Sequence, residues 1–339
     1  MVLFPSAPVS AVAGAAVCSW LLLRALIPSL RRQLLDQPNA RSSHHQPTPR
    51  GGGVAFVLVA GAASGLALLQ SSWAGLQAAP GGMRLIALPL IALPLAVVGF
   101  LDDRHNLPAS WRYGVQLATA LVLILLSPLP LPWFALPLVL IAVTAVINFT
   151  NFMDGLDGLV AGCLAITLAA ACLQRSAPWP LWALVGALLG FLLWNWSPAK
   201  VFMGDVGSTF LGAVLAGVVL QARSWPEALG LLLVATPLLT DACLCVPRRL
   251  LAGQPVFQAH RLHLFQRLHQ AGWPHARVSS LYIGATAASA VALLWGGLHA
   301  VLTLAVVELL VGLWLDQRVA LPFAKALAGT RAHQPVVPD

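Results

Sequence analysis

Several short polar motifs in this 339-residue chain contain carboxylates and amides at spacings that suit phosphate chemistry. The most informative is NFTNFMDGLDG, where Asn148, Asn151, Asp154 and Asp157 follow one another at intervals of three residues. Residues three apart on a helix form one slowly winding stripe, so this spacing predicts that the four side chains face the same way. A solvated loop with Gly turns is the alternative, and the three-residue period favours the stripe.

Two further acidic motifs could provide a base or hold a metal ion. Asp102 and Asp103 are adjacent carboxylates, which repel each other unless a cation lies nearby; this suits a general base or a metal site. Asp205, in FMGDVGST, could hold Mg²⁺, which takes one or two carboxylates together with phosphate oxygens. Ser208 or Thr209 could cap the helix that follows, whose first N–H groups attract anions. Alone, the Asp102-Asp103 pair is weak evidence against an exposed acidic helix end, and the Asp205 motif alone is better interpreted as an ordinary Gly-Asp turn with a Ser cap.

Two basic segments are candidates for holding a diphosphate. One contains His260, Arg261 and His263 in the motif HRLH, whose positive charge suits phosphate oxygens. Its two histidines could also bind zinc, although the sequence positions no third ligand. The other segment, DQPNARSSHHQPTPRGGG, contains His44 and Arg50 and ends in three glycines whose amides could wrap a phosphate. The alternatives are a basic loop that only sets membrane orientation and a flexible linker.

The composition indicates what kind of protein positions these motifs. Hydrophobic residues make up 59% of the chain and charged residues 9%, whereas an ordinary soluble domain is about 25% charged. We therefore predict an all-α polytopic membrane protein, formed as a single domain over residues 1–339. The net charge of +8 then reflects basic loops on one side of the membrane and not nucleic-acid binding. The five cysteines follow no zinc-finger spacing and are expected to be small core residues.

Apolar segments long enough, or nearly long enough, to span a bilayer recur along the chain, where a helix needs about 20 residues. The eleven predicted spans are 9–28, 52–70, 85–101, 113–127, 131–149, 158–174, 178–196, 207–222, 227–246, 278–296 and 298–315. Thr236-Pro237 is expected to bend the ninth span. Glu308 lies inside the last one, and helix packing and a lipid groove are both open as its role.

The distribution of Lys and Arg predicts the orientation. Fifteen of them fall in loops that follow odd-numbered spans or in the tail, and three fall in loops that follow even-numbered spans. Basic residues collect in cytoplasmic loops, so we predict a periplasmic N-terminus, a cytoplasmic C-terminal tail over residues 316–339 and an active site at the cytoplasmic face. Most of the aspartates fall on this same side, which favours one converging polar site over isolated helix ends.

Together the five motifs resemble the polyprenyl-phosphate N-acetylhexosamine-1-phosphate transferases (glycosyltransferase family 4), integral-membrane enzymes of the MraY, WecA and WbpL types. The matching pieces are DQPNARSSHHQPTPRGGG, FLDDRHNL, NFTNFMDGLDGL, FMGDVGSTFLG and HRLHLFQRL, in the family's order over about residues 30–270. The resemblance implies transfer of a sugar 1-phosphate from a UDP-sugar to undecaprenyl phosphate, with release of UMP, at the bacterial inner membrane. It also implies Mg²⁺ as the cofactor, with Mn²⁺ as an alternative.

The resemblance assigns roles to residues of this chain. It implies that Asp205 is the metal ligand and that Asp102, as the base, lies with Asp103 near the lipid phosphate. It places Asn151, Asp154 and Asp157 on the nucleotide-sugar side. The predicted catalytic residues are Asp102, Asp103, Asp154 and Asp157, and the predicted substrate-binding residues are His44, Arg50, Asn148, Asn151, Gly204, Ser208, His260, Arg261 and His263.

The amino-acid sequences of the motifs favour one branch of the family. Arg104-His105-Asn106-Leu107 follows the acidic pair where the peptidoglycan-precursor branch has a lysine, and HRLH replaces a run of histidines. This favours a UDP-N-acetylhexosamine donor such as UDP-GlcNAc or UDP-FucNAc and the synthesis of O-antigen or another surface polysaccharide. The alternatives are a phospho-N-acetylmuramoyl-pentapeptide transferase and a polytopic transporter, which would place its ionisable residues near the midplane. The expected partners are the UDP-sugar, undecaprenyl phosphate and membrane lipid, without nucleic acid; a homodimer is left open.

Overall fold

The computed structural model describes residues 6–38, 46–73, 80–254 and 260–332. The helices in these ranges are α1 (Ser6–Gln33), α2 (Val54–Trp73), α3 (Pro80–His105), α4 (Ala109–Leu125), α5 (Leu136–Phe152), α6 (Leu159–Arg175), α7 (Trp179–Asn195), α8 (Asp205–Leu220), α9 (Trp225–Val234), α10 (Thr236–Leu251), α11 (Leu264–Gln270), α12 (His275–Arg318) and α13 (Phe323–Ala332). Two short antiparallel strands, β1 (Leu35–Asp36) and β2 (Thr48–Pro49), pair with each other, and a 3₁₀ turn (Trp133–Ala135) precedes α5.

Every predicted span coincides with helix. In the described part of the chain, four helices are long and apolar enough to cross a membrane, or five if the bent pair of α9 and α10 is one span; five further apolar helices are shorter. The last two predicted spans both lie in α12, where Gly297 separates them with a φ of 68°. This is the architecture expected of an all-α membrane protein, while the number and direction of crossings stay predictions.

The ninth predicted span is broken where its sequence indicates. α9 and α10 meet at an angle of 83°. Pro237 lies in the first turn of α10, where its missing N–H costs no helical hydrogen bond, and the Thr236 hydroxyl donates to the Leu233 carbonyl at 2.5 Å. The predicted bend at Thr236-Pro237 is therefore confirmed.

Close packing of helix backbones places α8 in the interior. α8 contacts α3 and α5 extensively and is buried along nearly its whole length. α1 lies along α7, where Gly186 and Gly190 approach the carbonyls of Val12 and Ala16 so closely that a β-carbon would overlap them. Small residues four apart let helices associate where lipid offers no hydrophobic gain. The buried α8 holds Asp205, its first residue, against the ends of α3 and α5.

Candidate active site

The motif-bearing ends of α3, α5 and α8, together with the start of α4, surround a cavity of about 1120 Å³. Residues from all five motifs line it: Arg50, Asp103, Asn148, Asn151, Asp154, Asp157, Gly204, Asp205, His260 and His263. A large cavity with converging polar groups is the ordinary form of a small-molecule site. The fold therefore brings together side chains from segments that are far apart in the sequence.

One guanidinium joins two of the acidic motifs. Nη1 of Arg112, on α4, donates to Asp102 Oδ2 at 2.7 Å and lies 3.6 Å from Asp205 Oδ2. The other oxygen of Asp102 accepts the Leu107 backbone N–H at 2.6 Å. Both oxygens of Asp102 are thus engaged, and this geometry suits a residue that holds Arg112 in place. Sequence analysis counted Arg112 only among the loop cations, because its partners lie on other helices.

Asp103 faces the start of α8. Its Oδ2 accepts the Val206 backbone N–H at 3.3 Å. Arg50 donates to the Asp103 backbone carbonyl, and its Nε lies 3.9 Å from Asp103 Oδ1. Gly204, with a φ of 76°, lies so close to the Asp103 carboxylate that a side chain there would collide with it. The first N–H groups of α8, which are predicted to attract an anion, therefore face the Asp103 carboxylate of the protein itself.

Neighbouring side chains hold the asparagines of α5. The Ser208 hydroxyl donates to Asn151 Oδ1 at 2.6 Å, and Asn151 Nδ2 lies 3.5 Å from Asp205 Oδ2. Asn148 and Gln116, on α4, exchange two hydrogen bonds of 2.7 and 3.2 Å. The predicted cap by Ser208 or Thr209 is wrong, because α8 begins at Asp205 and its N-cap has no side-chain hydrogen bond. Ser208 instead positions Asn151.

The predicted stripe of polar residues continues into a loop. α5 ends at Phe152, so Asn148 and Asn151 are helical while Asp154 and Asp157 lie beyond the helix. All four nevertheless line the cavity. The three-residue spacing therefore identified residues on one wall, although only half of the stripe is helical.

Asp157 is held by protein partners. Its Oδ1 lies 3.2 Å from His275 Nδ1, and its Oδ2 accepts the Ala199 backbone N–H at 3.2 Å. Burial acts to raise the pKa of Asp157, but the hydrogen bond and charge of His275 and the Ala199 N–H hold this pKa below the usual value. Asp157 therefore links its loop to the start of α12.

Asp154 differs from its neighbour. In the described part of the chain its carboxyl has no hydrogen-bond or ion-pair partner. Burial, together with the charges of Asp103 and Asp157, raises the pKa of Asp154 to about 7. An unpartnered carboxyl that titrates near neutrality in a cavity is a candidate for proton transfer or ligand binding.

The two histidines of HRLH have different electrostatic properties. His263 is buried, with Nδ1 3.3 Å from Asp241 Oδ1. Burial acts to lower the pKa of His263, but the hydrogen bond to Asp241 outweighs it and raises this pKa to about 9. Burial and the charges of His263 and Arg249 lower the pKa of His260 to about 3. Of the two histidines, only His263 carries a proton at neutral pH in the absence of a bound metal.

The remaining predicted residues differ in position. His44 lies outside the described residues. Arg261 does not line the cavity, and its carbonyl accepts a hydrogen bond from Gln270 at 2.8 Å. The prediction that the triple glycine wraps a phosphate is wrong for Gly52 and Gly53. Their N–H groups donate to carbonyls of the FMGD motif at 2.9 Å each and so attach the first motif to the start of α8.

The charge around the cavity fits a divalent cation. Three carboxylates, of Asp102, Asp103 and Asp205, lie within 4 Å of the guanidinium of Arg50 or Arg112, and the Asp154 carboxyl lies close enough to Asp103 to interact with its charge. When all of the carboxylates are ionised, this set has two negative charges in excess. Carboxylate oxygens are the protein ligands that Mg²⁺ prefers, so the donor set at Asp205 is suitable for that ion.

Comparisons with known proteins agree with this picture. Residues 85–223, which include the acidic pair and the motifs through Ser208, match the model of the family described as glycosyl transferase family 4. A probable undecaprenyl-phosphate N-acetylglucosaminyl 1-phosphate transferase of Bacillus subtilis is 29% identical over 74% of this chain and 73% of its own length. A decaprenyl-phosphate N-acetylglucosaminephosphotransferase of Mycobacterium leprae is 31% identical over 73% of each chain. A phospho-N-acetylmuramoyl-pentapeptide-transferase of Synechococcus is 33% identical over 79% of this chain and 86% of its own.

Proposed function

The chain belongs to glycosyl transferase family 4, and we propose that it transfers an N-acetylhexosamine 1-phosphate from a UDP-sugar to undecaprenyl phosphate and releases UMP. The observation that supports this most is the carboxylate-rich cavity at one end of an apolar helical bundle. The donor is a polar diphosphate, and the acceptor is apolar except for its phosphate. A reaction between them needs such a boundary, which we place at the cytoplasmic face of a bacterial inner membrane.

The barrier is mainly electrostatic, because an anionic phosphate attacks a phosphorus that already carries negative charge. We assign Asp205 as the ligand of a Mg²⁺ ion, which when bound supplies neutralisation and orientation of the diphosphate. Arg112 lies beside Asp205, and Arg50 lies on the cavity wall. In the proposal these two guanidiniums hold phosphate oxygens.

Proton transfer is assigned to Asp154 in this proposal. A lipid phosphate oxygen forms a bond to the phosphorus attached to the sugar, and the bond from that phosphorus to UMP breaks. Asp154, with a pKa of about 7, accepts the remaining proton of the lipid phosphate. Asp102, which the sequence proposes as the base, has both oxygens engaged and holds Arg112. Asn151 and Asp157 position the nucleotide-sugar side.

The identity of the sugar separates two activities. The relatives named above include both N-acetylglucosamine and N-acetylmuramoyl-pentapeptide enzymes. We propose the former type of donor, UDP-GlcNAc or UDP-FucNAc, because HRLH and Arg104-His105-Asn106-Leu107 depart from the peptidoglycan-precursor pattern. The product then begins O-antigen or another surface polysaccharide.

The full chain, purified in detergent micelles, can test this with undecaprenyl phosphate and labelled donors. We expect lipid-linked sugar and UMP in equal amounts from UDP-GlcNAc or UDP-FucNAc, and no product when Mg²⁺ is chelated. Turnover of UDP-MurNAc-pentapeptide alone would assign the chain to the other branch. Absence of UMP release from all three donors, in protein with its helical content intact, would refute the proposed transfer.

A further inference from the structure

A second cluster of metal-binding side chains lies beside the cavity, apart from Asp205. Cys245 on α10 and His260 and His263 in the loop before α11 each present one ligand atom, and these atoms all lie within 4.8 Å of one another. Cys245 is 4% exposed, His263 is 1% exposed and His260 is half-buried. The histidine spacing alone supplies two ligands, and the fold adds the third from a different element.

One ring nitrogen of His263 faces a carboxylate, and the other is available to a ligand. Asp241 Oδ1 lies 3.3 Å from Nδ1, while Nε2 is buried and makes no hydrogen bond of ordinary geometry to any described residue. Asp241 is itself fixed by the Tyr282 hydroxyl at 2.8 Å and the Phe265 N–H at 3.0 Å. A carboxylate on one nitrogen that leaves the other for a metal is the usual arrangement of histidines in zinc sites, where it sets the tautomer and the ring orientation.

Charged side chains lie next to the three proposed ligands. Arg249 follows Cys245 by one helical turn, is 2% exposed and interacts electrostatically with Cys245. The thiolate is the form of cysteine that binds metals. With the Asp241 carboxylate, the Cys245 thiolate and Arg249 counted, and both histidines neutral, the cluster has one net negative charge before an ion binds.

We propose that Cys245, His260 and His263 bind one Zn²⁺ or another thiophilic divalent ion, with Asp241 as the positioning residue behind His263. One thiolate and two imidazoles form a set that zinc prefers and that Mg²⁺, which takes oxygen ligands, does not. Zinc–ligand bonds of about 2.0–2.3 Å require these atoms to approach by about 1 Å, a small movement for a loop. The ion ties α10 to the HRLH loop at the cavity wall.

The probe for this site is Co²⁺, which replaces zinc and has visible absorption. The full chain in detergent is freed of metal with a chelator and titrated with Co²⁺. We expect one equivalent to bind, with the d–d bands of a tetrahedral ion and a sulfur-to-cobalt charge-transfer band, and Zn²⁺ to abolish both. Substoichiometric Co²⁺, or binding without the sulfur band, would overturn the proposal.

Variants of one helix supply the matched controls. Cys245→Ser should remove the sulfur band, whereas Cys243→Ser, two residues away on α10 and exposed, should keep it. Asp241→Asn should weaken Co²⁺ binding by about 10–100-fold, as is typical for the carboxylate behind a metal-bound histidine. Equal spectra in the two cysteine variants would overturn the site.

Folding defects are distinguished by a further variant. If Cys245→Ser loses helical circular dichroism, His260→Ala is used in its place, since this side chain is half-buried. Weakened Co²⁺ binding in His260→Ala of wild-type helicity supports the site, and unchanged binding contradicts it. Metal content is measured without substrates, so the result does not depend on the proposed sugar phosphate transfer.

Discussion

The two ends of the helical bundle balance their charges differently. At the end opposite the motifs, Arg175 of α6 pairs with Glu227 of α9 at 3.0 Å. Arg84 and Gln221 both donate to the Leu126 carbonyl there, at 3.0 and 2.8 Å. Each of these side chains joins helix ends through groups of the protein itself.

At the end of the bundle that carries the motifs, by comparison, some charged groups lack partners among the described residues. Asp154 has no partner for its carboxyl in the described ranges, and carboxylates outnumber the guanidiniums beside them. A buried imbalance of this kind opposes folding and persists where a ligand completes it. The excess of carboxylates over guanidiniums, more than the number of charged residues, therefore distinguishes the end of the bundle that carries the candidate site. The predictions below test this contrast, from the largest expected effect to the smallest.

Replacement of Asp205 by Asn should have the largest effect on activity. It removes the assigned metal ligand, so Mg²⁺-dependent UMP release should fall by at least about 10⁴-fold, the upper end of the loss expected on removal of a general base. Glu227→Gln, at the opposite end, is the matched control and should retain the wild-type rate. Turnover by Asp205→Asn that is close to wild type would contradict the assignment.

Asp154→Asn should separate activity from stability. Transfer should fall by about 10²–10⁴-fold if the carboxyl acts as the base. The folded protein holds this proton up to about pH 7, whereas the unfolded chain releases it near 3.8, so wild-type stability decreases as the pH rises through this range. The variant lacks that decrease and should have the higher melting temperature at pH 8. A lower melting temperature at pH 8 than wild type would show that the carboxylate is stabilised by contacts.

Asp157→Asn should mainly reduce stability. The pKa of Asp157 is lowered in the folded state, so its contribution is present above about pH 4 and is lost as the pH falls through the folded pKa. At pH 7 the free energy of unfolding should fall by about 2 kcal/mol, the magnitude for a hydrogen bond to a charged group. Thermal unfolding in detergent measures this, and loss of transfer without loss of stability would favour the catalytic role that the sequence predicts.

The double variant Arg175→Met with Glu227→Met should have the smallest effect. Replacing both members of a buried pair by apolar residues is often neutral, so the free energy of unfolding should change by less than about 1 kcal/mol. The transfer rate should stay within about twofold of wild type, because neither residue lines the cavity. A large loss of activity would show that the opposite end also contributes to function.

The sequence alone was sufficient to predict the long apolar helices and many of the polar residues that line the cavity. About twenty apolar residues in succession fold as helix in a membrane because each backbone group must be satisfied locally, so every predicted span coincides with helix. The types and spacing of Asn148, Asn151, Asp154 and Asp157 identified one wall, although α5 ends before the aspartates. These features depend on neighbouring residues and are therefore visible in a linear sequence.

Tertiary structure alone decided which polar groups are engaged. Asp102 is bound by Arg112 from the next helix, whereas Asp154 has no such partner among the described residues, and Cys245 meets His260 and His263 from a different element. Hydrogen bonds and metal ligation require distances set to within a few tenths of an ångström between segments far apart in the chain. The spacing of residues along the chain does not determine distances between distant segments, so the roles of the individual carboxylates follow from tertiary packing.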